Sequence, residues 1–243
     1  MAIAIFLVIH WYVSLFFQSV FHHRYAAHGM FTMSRFWERM FYCCCLVAQG
    51  SSYISPYAYG IMHRLHHAYS DTPHDPHSPL HASGFFNMLL QTRHNYFSIF
   101  SGKKMVEERF KAGIPNWPAF DRYIHNWVMR VVFAFIYVLV YWWLATAWWM
   151  YLFLPLTVAM ATLQGAIVNW WAHRFGYRNF VTGNESKNIL PVDLFFWGEA
   201  YHNNHHRHPG RPKTAFRWFE LDSGYFIMQL LHAARIIKLK RVL

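Results

Sequence analysis

From Val131 to Ala172 the chain runs for 42 residues without one Asp, Glu, Lys or Arg. Drawn as a single helix this stretch is ~63 Å long, twice the ~30 Å hydrocarbon thickness of a bilayer, so it has to fold back as a helical hairpin. Trp142, Trp143, Trp148, Trp149 and Tyr151 place its turn, because amphipathic rings settle where lipid meets water. Met1 to Phe21 is equally free of charge and reads as one spanning helix; it has neither the basic start nor the small-residue cleavage site of a signal peptide. The expected spans are therefore about 1–21, 131–150 and 152–172. Met40 to Met62 is uncharged too, but Gly50-Ser51-Ser52 and Pro56 interrupt it. Over about 38–62 the expectation is a segment that lies at the interface or dips in and returns.

Lys and Arg number 22 against 11 Asp and Glu, a net charge of +11, yet 21% of residues are aromatic. The basic residues fall between uncharged runs instead of forming one soluble face, which argues against nucleic acid as a partner. Every Lys and Arg lies outside the expected spans, with Arg130 at a boundary, and the positive-inside rule puts those regions in the cytosol. Segments 63–126 and 173–243 are the expected cytosolic cap, the first read as loops and short helices, the second as carrying an amphipathic stretch from Phe219 to Ile237. The fold class that follows is mainly α: integral membrane helices with a cytosolic, histidine-rich helical cap. The three cysteines are consecutive, Cys43 to Cys45, so no disulfide framework is readable.

The chemistry is carried by histidine. The densest block is Tyr201-His202-Asn203-Asn204-His205-His206-Arg207-His208. On a helix His202, His205 and His206 stand at i, i+3 and i+4, so three ring nitrogens leave from one face as a grip for a metal. His63, His66 and His67 repeat that spacing. His23 and His28 form a looser pair, and Asn169 and His173 put an amide and an imidazole one turn apart. Nine histidines and one asparagine exceed what one transition-metal ion accepts, which implies two metals. His10, His94, His125 and His232 are isolated and read as satisfied core residues. A zinc protease would show His-Glu-x-x-His, structural zinc would bring cysteine, and carboxylate-bridged di-iron bundles would repeat Glu-x-x-His. None of these occurs. An all-imidazole shell suits iron, copper, zinc or nickel, so the donor set alone leaves the metal open. Asp75, Asp193 and Glu199 are candidate partners to orient the imidazoles.

In chain order the boxes read H-x4-H, H-x2-H-H, N-x3-H and H-x2-H-H. This order resembles the membrane fatty-acid desaturases, and most of all the acyl-CoA (stearoyl-CoA, delta-9) branch. Flanking words agree as well: Tyr69-Ser70-Asp71-Thr72, Asp75-Pro76-His77, His173-Arg174-Phe175-Gly176-Tyr177-Arg178, and Gly198-Glu199. The resemblance covers nearly the whole chain and implies one desaturase domain over 1–243 with a dinuclear metal site. Its implied ligands are His23, His28, His63, His66, His67, His173, His202, His205 and His206, with Asn169 acting through a water. It implies two iron ions, with zinc able to replace them after overexpression, and molecular oxygen as co-substrate. It also implies an external electron donor such as ferredoxin, rubredoxin or cytochrome b5 with a reductase, in keeping with the lack of a Gly-x-Gly-x-x-Gly signature. Gln49 aligns with a substrate-tunnel residue of relatives.

The chain departs from the family pattern in three places. One span precedes the first box where the family has two, so the chain reads as a compact version or as one lacking a first helix. Asn204 stands where an aromatic is usual, which is expected to reshape hydrogen bonding around the irons. Ile61-Met62 replaces charged residues of the mammalian relatives, so their coenzyme A contacts do not carry over. The expected activity is insertion of a cis double bond into a long-chain fatty acyl group, as acyl-CoA at the delta-9 position. Acyl-lipid desaturation, hydroxylation and decarboxylation are the alternatives on this scaffold. A non-catalytic haem-binding membrane anchor would need only paired histidines on facing spans and leaves the other boxes unexplained.

Overall fold

The computed structural model describes residues 1–240; the last three residues of the expected cap, 241–243, lie outside the described residues. The chain is mainly helical. Helix α1 (Ala2–Phe16) passes without a break into a π-helical segment, Phe17–Ala27, so the first apolar helix is 26 residues long instead of ending near residue 21. Its outer face is apolar and open, with Ile5, Val8 and Ile9 more than half exposed, as suits side chains that meet lipid. A short strand β1 (Phe31–Met33) follows. Helix α2 (Arg35–Gln49) starts at Ser34, whose hydroxyl accepts from the Trp37 N–H, a cap worth ~1 kcal/mol. It stops at Gly50, where φ is +51° and a Cβ would run into the Tyr137 hydroxyl; only glycine meets both demands.

After a 3₁₀ turn at Gly50–Ser52, helix α3 (Pro56–Tyr69) begins with Ser55 as cap and Pro56 in its first turn. The interfacial segment expected over about 38–62 is thus two helices broken where the Gly-Ser-Ser run stands. Beyond it, α4 (Phe85–Phe100) is a full-length helix in a region whose polar composition suggested only short ones; α5 (Glu108–Lys111) and α6 (Pro118–Ile124) are short.

Helix α7 (Trp127–Leu144) is the second long apolar helix, with only 11% of its most apolar window buried. It ends at Leu144, before the expected 150, and the tryptophans flank the turn as expected: Trp142, Trp143 and Trp148 are at least three-quarters exposed. The return arm is not straight. A 3₁₀ stretch (Trp148–Phe153) with α8 (Leu154–Val158) meets α9 (Met160–Ala172) at a 70° bend. The backbone groups freed there are taken up by the broken segment opposite: Ser51 Oγ donates to Val158 O at 2.7 Å, and Ser52 Oγ accepts from Ala161 N at 3.0 Å. Among the described residues, two helices are long and apolar enough to cross a membrane, or three if the bent pair is one span.

The C-terminal part supplies α10 (His202–Arg207) and α11 (Ser223–Ala233), then β2 (Ile237–Leu239), which pairs antiparallel with β1. The stretch expected to be amphipathic from Phe219 to Ile237 is helical only over α11. A core of Phe21, Phe31, Tyr42, Met228 and Ile237 ties the π segment, α2, α11 and the two strands together.

Candidate metal centre

The π segment explains the first box. On an α-helix His23 and His28, five residues apart, would point ~140° apart. In this segment the bonding is i to i+5, and the His28 N–H donates to His23 O at 3.1 Å. The wider turn brings both rings to one side, with centroids 4.9 Å apart. Helix α3 packs against this segment: Arg64 Nε donates to Ala27 O at 2.6 Å, and His63 Nε2 lies 2.9 Å from His28 Nε2.

Two imidazole clusters result, each able to hold a metal ion: His23, His28, His63, His67 and His205, and beside them His66, His173, His202 and His206. The H-x2-H-H boxes do not each grip one metal, as their spacing suggested. Adjacent helical residues diverge by ~100°, so the i, i+4 pair of each box turns to one cluster and its middle histidine to the other. The two boxes are complementary. Helix α3 gives His63 and His67 to the first cluster and His66 to the second; α10 gives His205 to the first and His202 and His206 to the second. His67 stacks on His206 across the boundary, with centroids 4.4 Å apart.

In the first cluster His205 Nε2 is 2.9 Å from the Nε2 atoms of both His23 and His67, and His63 Nε2 is 3.0 Å from that of His67. In the second, His202 Nε2 is 3.0 Å from those of His173 and His206, with His66 Nε2 3.2 Å from that of His206. Ligands 2.0–2.1 Å from one ion and ~90° apart stand ~2.9 Å from each other, so these separations are those of a coordination shell. Three of the opposite ring nitrogens point the same way. His23 Nδ1 lies 2.7 Å from Glu199, His66 Nδ1 2.9 Å from Asp75, and His173 Nδ1 2.8 Å from Asp71. A carboxylate fixes the N–H on Nδ1 and leaves Nε2 a bare lone pair. Lone pairs this close repel unless a cation lies among them, so the donor set fits two transition-metal ions. Burial, and after it neighbouring imidazoles, pushes the pKa of His63, His66, His67, His202, His205 and His206 well below the ordinary histidine value, which keeps the rings in the neutral form that binds metal.

Asn169 lies one turn before His173 at the end of α9, 4% exposed. Its Nδ2 donates to His77 O at 2.5 Å, while its Oδ1 is buried without a partner. Of the three carboxylates expected to orient imidazoles, Glu199 and Asp75 do face His23 and His66. Asp193 does not: its carboxylate accepts from the backbone N–H groups of Phe195, Phe196, Gly198 and Ala200 and shapes the loop before α10. Asp71 takes the place the sequence reading gave to Asp193. It sits at φ +61° two residues past α3, and also accepts from the Glu185 N–H at 2.7 Å. Burial raises its pKa, but the hydrogen bonds from His173 Nδ1–H and the Glu185 N–H outweigh this and hold it below the usual carboxylate range. His77, missed as a site residue, groups with His66 and Asp75. A carboxylate and an imidazole in a prolyl turn right after a box were the available signal for both.

The remaining expectations fall as follows. Gln49 is fully buried and its Oε1 accepts from the Ile54 N–H, so it shapes the turn before α3 instead of lining the adjacent cavity. Asn204 is fully buried: it donates to Thr214 O and Glu220, accepts from Asn179 and Asn188, and so locks α10 in place. His10 and His125 are buried beside Tyr137 and Tyr96, whereas His94 and His232 are exposed and are not core residues.

A family model described as fatty acid desaturase matches residues 1–223. Among curated proteins, the chain is 27% identical over 215 residues to "Delta-9 acyl-lipid desaturase 1" of Arabidopsis thaliana, a match covering 88% of this chain and 67% of that one. It is 26% identical over 243 residues to "sn-2 palmitoyl-lipid 9-desaturase" of Nostoc sp. (strain 36), covering 98% and 80%. It is 28% identical over 222 residues to "Acyl-CoA C20 Delta5-desaturase" of Anemone leveillei, covering 86% and 64%. The chain spans about two thirds of the length of the plant relatives it matches. Because the family match runs through all four boxes, the chain belongs to the fatty acid desaturase family, oxidoreductases that act on fatty acyl groups.

Proposed function

We propose that the protein is an oxygen-dependent di-iron desaturase that inserts a cis double bond into a long-chain fatty acyl group at the delta-9 position. The observation that carries this reading is the pair of all-imidazole clusters, with a small cavity against both that shares five lining residues with a larger, largely apolar cavity. Removing hydrogen from an unactivated methylene is beyond any side chain acting as acid or base, and two iron ions, with oxygen and electrons from an outside donor, supply that chemistry. The chain's own part is placement. His23, His28, His63, His67 and His205 would hold one ion, and His66, His173, His202 and His206 the other, with Asn169 completing the donor set of the latter ion through a water. Asp71, Asp75 and Glu199 keep three rings in the metal-binding tautomer. The cavity walls, Met62, Met88, Tyr96, Phe97 and Trp127 among them, keep water out and fix the bend of the chain.

The sequence pattern favours acyl-CoA as the carried form, whereas the relatives named as acyl-lipid desaturases favour a lipid-bound chain, and the missing charges at Ile61-Met62 side with the latter. The reading places the protein as multi-pass, with the clusters on the cytosolic side. Gas chromatography of host fatty acids with and without the gene tests activity, chain length and bond position together; analysis by lipid class decides the carrier. Hydroxy acids or shortened hydrocarbons in place of unsaturated chains would move the assignment to the hydroxylase or decarboxylase reading.

A further inference from the structure

Two cavities adjoin each other beside the imidazole clusters. The larger, about 210 Å³, is the largely apolar one. The smaller, about 40 Å³, lies against His23, His63, His66 and His202, and so touches both clusters. Space of that size takes about three water-sized groups. Gln18, Tyr59, His77, Gly165 and Asn169 line both cavities and form the throat between them.

This throat is polar. Gln18 comes from the π segment, is 6% exposed, and its Oε1 has no partner. Its Nε2 stands 2.5 Å from where a Cβ on residue 165 would be, so the carboxamide occupies the throat only because residue 165 is glycine. Asn169 Oδ1 and His77 Nε2, also without partners, lie on the same ring of residues. A buried carbonyl without a donor is costly, and neither helix packing nor a hydrocarbon supplies one. A hydroxyl or a water does.

We infer that Gln18 is the specificity-determining residue of this throat: its carboxamide holds a hydroxyl or water and thereby sets how far a hydrocarbon chain advances, and so which carbons face the imidazole clusters. The inference rests on the fatty-acyl reading above. An apolar residue at position 18 removes the hydrogen-bonding stop and lets the chain slide deeper. Alanine at position 165 pushes the carboxamide out of the throat and acts in the same sense.

The test compares wild type, Gln18→Leu and Gly165→Ala as purified, metal-loaded protein and in the expressing host. Equilibrium binding of radiolabelled palmitate is expected to be several-fold tighter for Gln18→Leu. In both variants the double bond is expected to shift or spread to neighbouring carbons, while Gln18→Leu keeps two metals per chain and the wild-type melting temperature. Palmitate affinity within twofold of wild type, with unchanged bond position, overturns the inference. So does a fall in the melting temperature of Gln18→Leu, because a packing role for the amide predicts that loss. Failure of the fatty-acyl reading looks different: wild type then binds no palmitate and forms no unsaturated product, and the inference falls with it.

Discussion

The two imidazole clusters share α3 and α10 but are completed by different elements and held by different means. The five-imidazole cluster is set by backbone: the π segment turns His23 and His28 together, α3 contributes an i, i+4 pair, and a single carboxylate, Glu199, steadies one ring. The four-imidazole cluster is set by side chains from a loop: Asp71 holds His173 and Asp75 holds His66, both from the turn after α3. It has one imidazole fewer, and the unpartnered Asn169 Oδ1 lies beside it. Helix periodicity is enough to assemble the first cluster. The second needs carboxylates delivered by a non-helical turn, and its geometry therefore depends on residues that are not ligands.

Substitutions can break or sharpen this contrast. The largest effect is expected for His205→Ala, which removes the α10 donor of the five-imidazole cluster and leaves four imidazoles there: turnover falls below detection, and the ion of that cluster is released to a chelator faster than in wild type while the other is held as before. Unchanged release of both ions in that variant would mean that the assignment of α10 residues is wrong. Asn169→Ala is expected to abolish turnover as well, but with normal expression and weakened occupancy confined to the four-imidazole cluster. A fully active variant carrying two ions would remove Asn169 from the site. For Asp71→Asn the account expects metal affinity at the four-imidazole cluster to fall roughly 10–100-fold, the range for losing a partner that orients a ligand. Chelator competition should then show one fast-released and one slow-released ion; equal release would erase the difference between the clusters. Asp193→Asn should leave both affinities unchanged and cost about 1–3 kcal/mol of stability, because it strands backbone N–H groups. Metal loss there would restore Asp193 to the role the sequence suggested.

What could be read in advance follows the same division. Uncharged runs announce apolar helices because a bilayer tolerates little else; two of the three expected stretches appear as long apolar helices with shifted ends, Ala2–Ala27 and Trp127–Leu144, and the third as a bent pair. Three of the four boxes are legible because i, i+3 and i+4 spacing survives folding. Spacing alone misassigns the direction of each ring, since neighbouring residues such as His66 and His67 diverge to different clusters. The H-x4-H pair looks weak under α-helical geometry and becomes a proper pair only in a π-helix, which no local propensity signals. Asp71 and Asp193 both precede apolar or prolyl segments, and only the three-dimensional path of the turn decides which carboxylate meets an imidazole. The β1–β2 pairing joins residues 204 to 208 positions apart and has no turn signal between its strands.

Anomalous X-ray scattering at the iron edge on the purified protein tests the central claim most directly. The account predicts two peaks per chain, one among the Nε2 atoms of His23, His28, His63, His67 and His205, the other among those of His66, His173, His202 and His206. A single peak, or peaks outside these two sets of nitrogens, would contradict it.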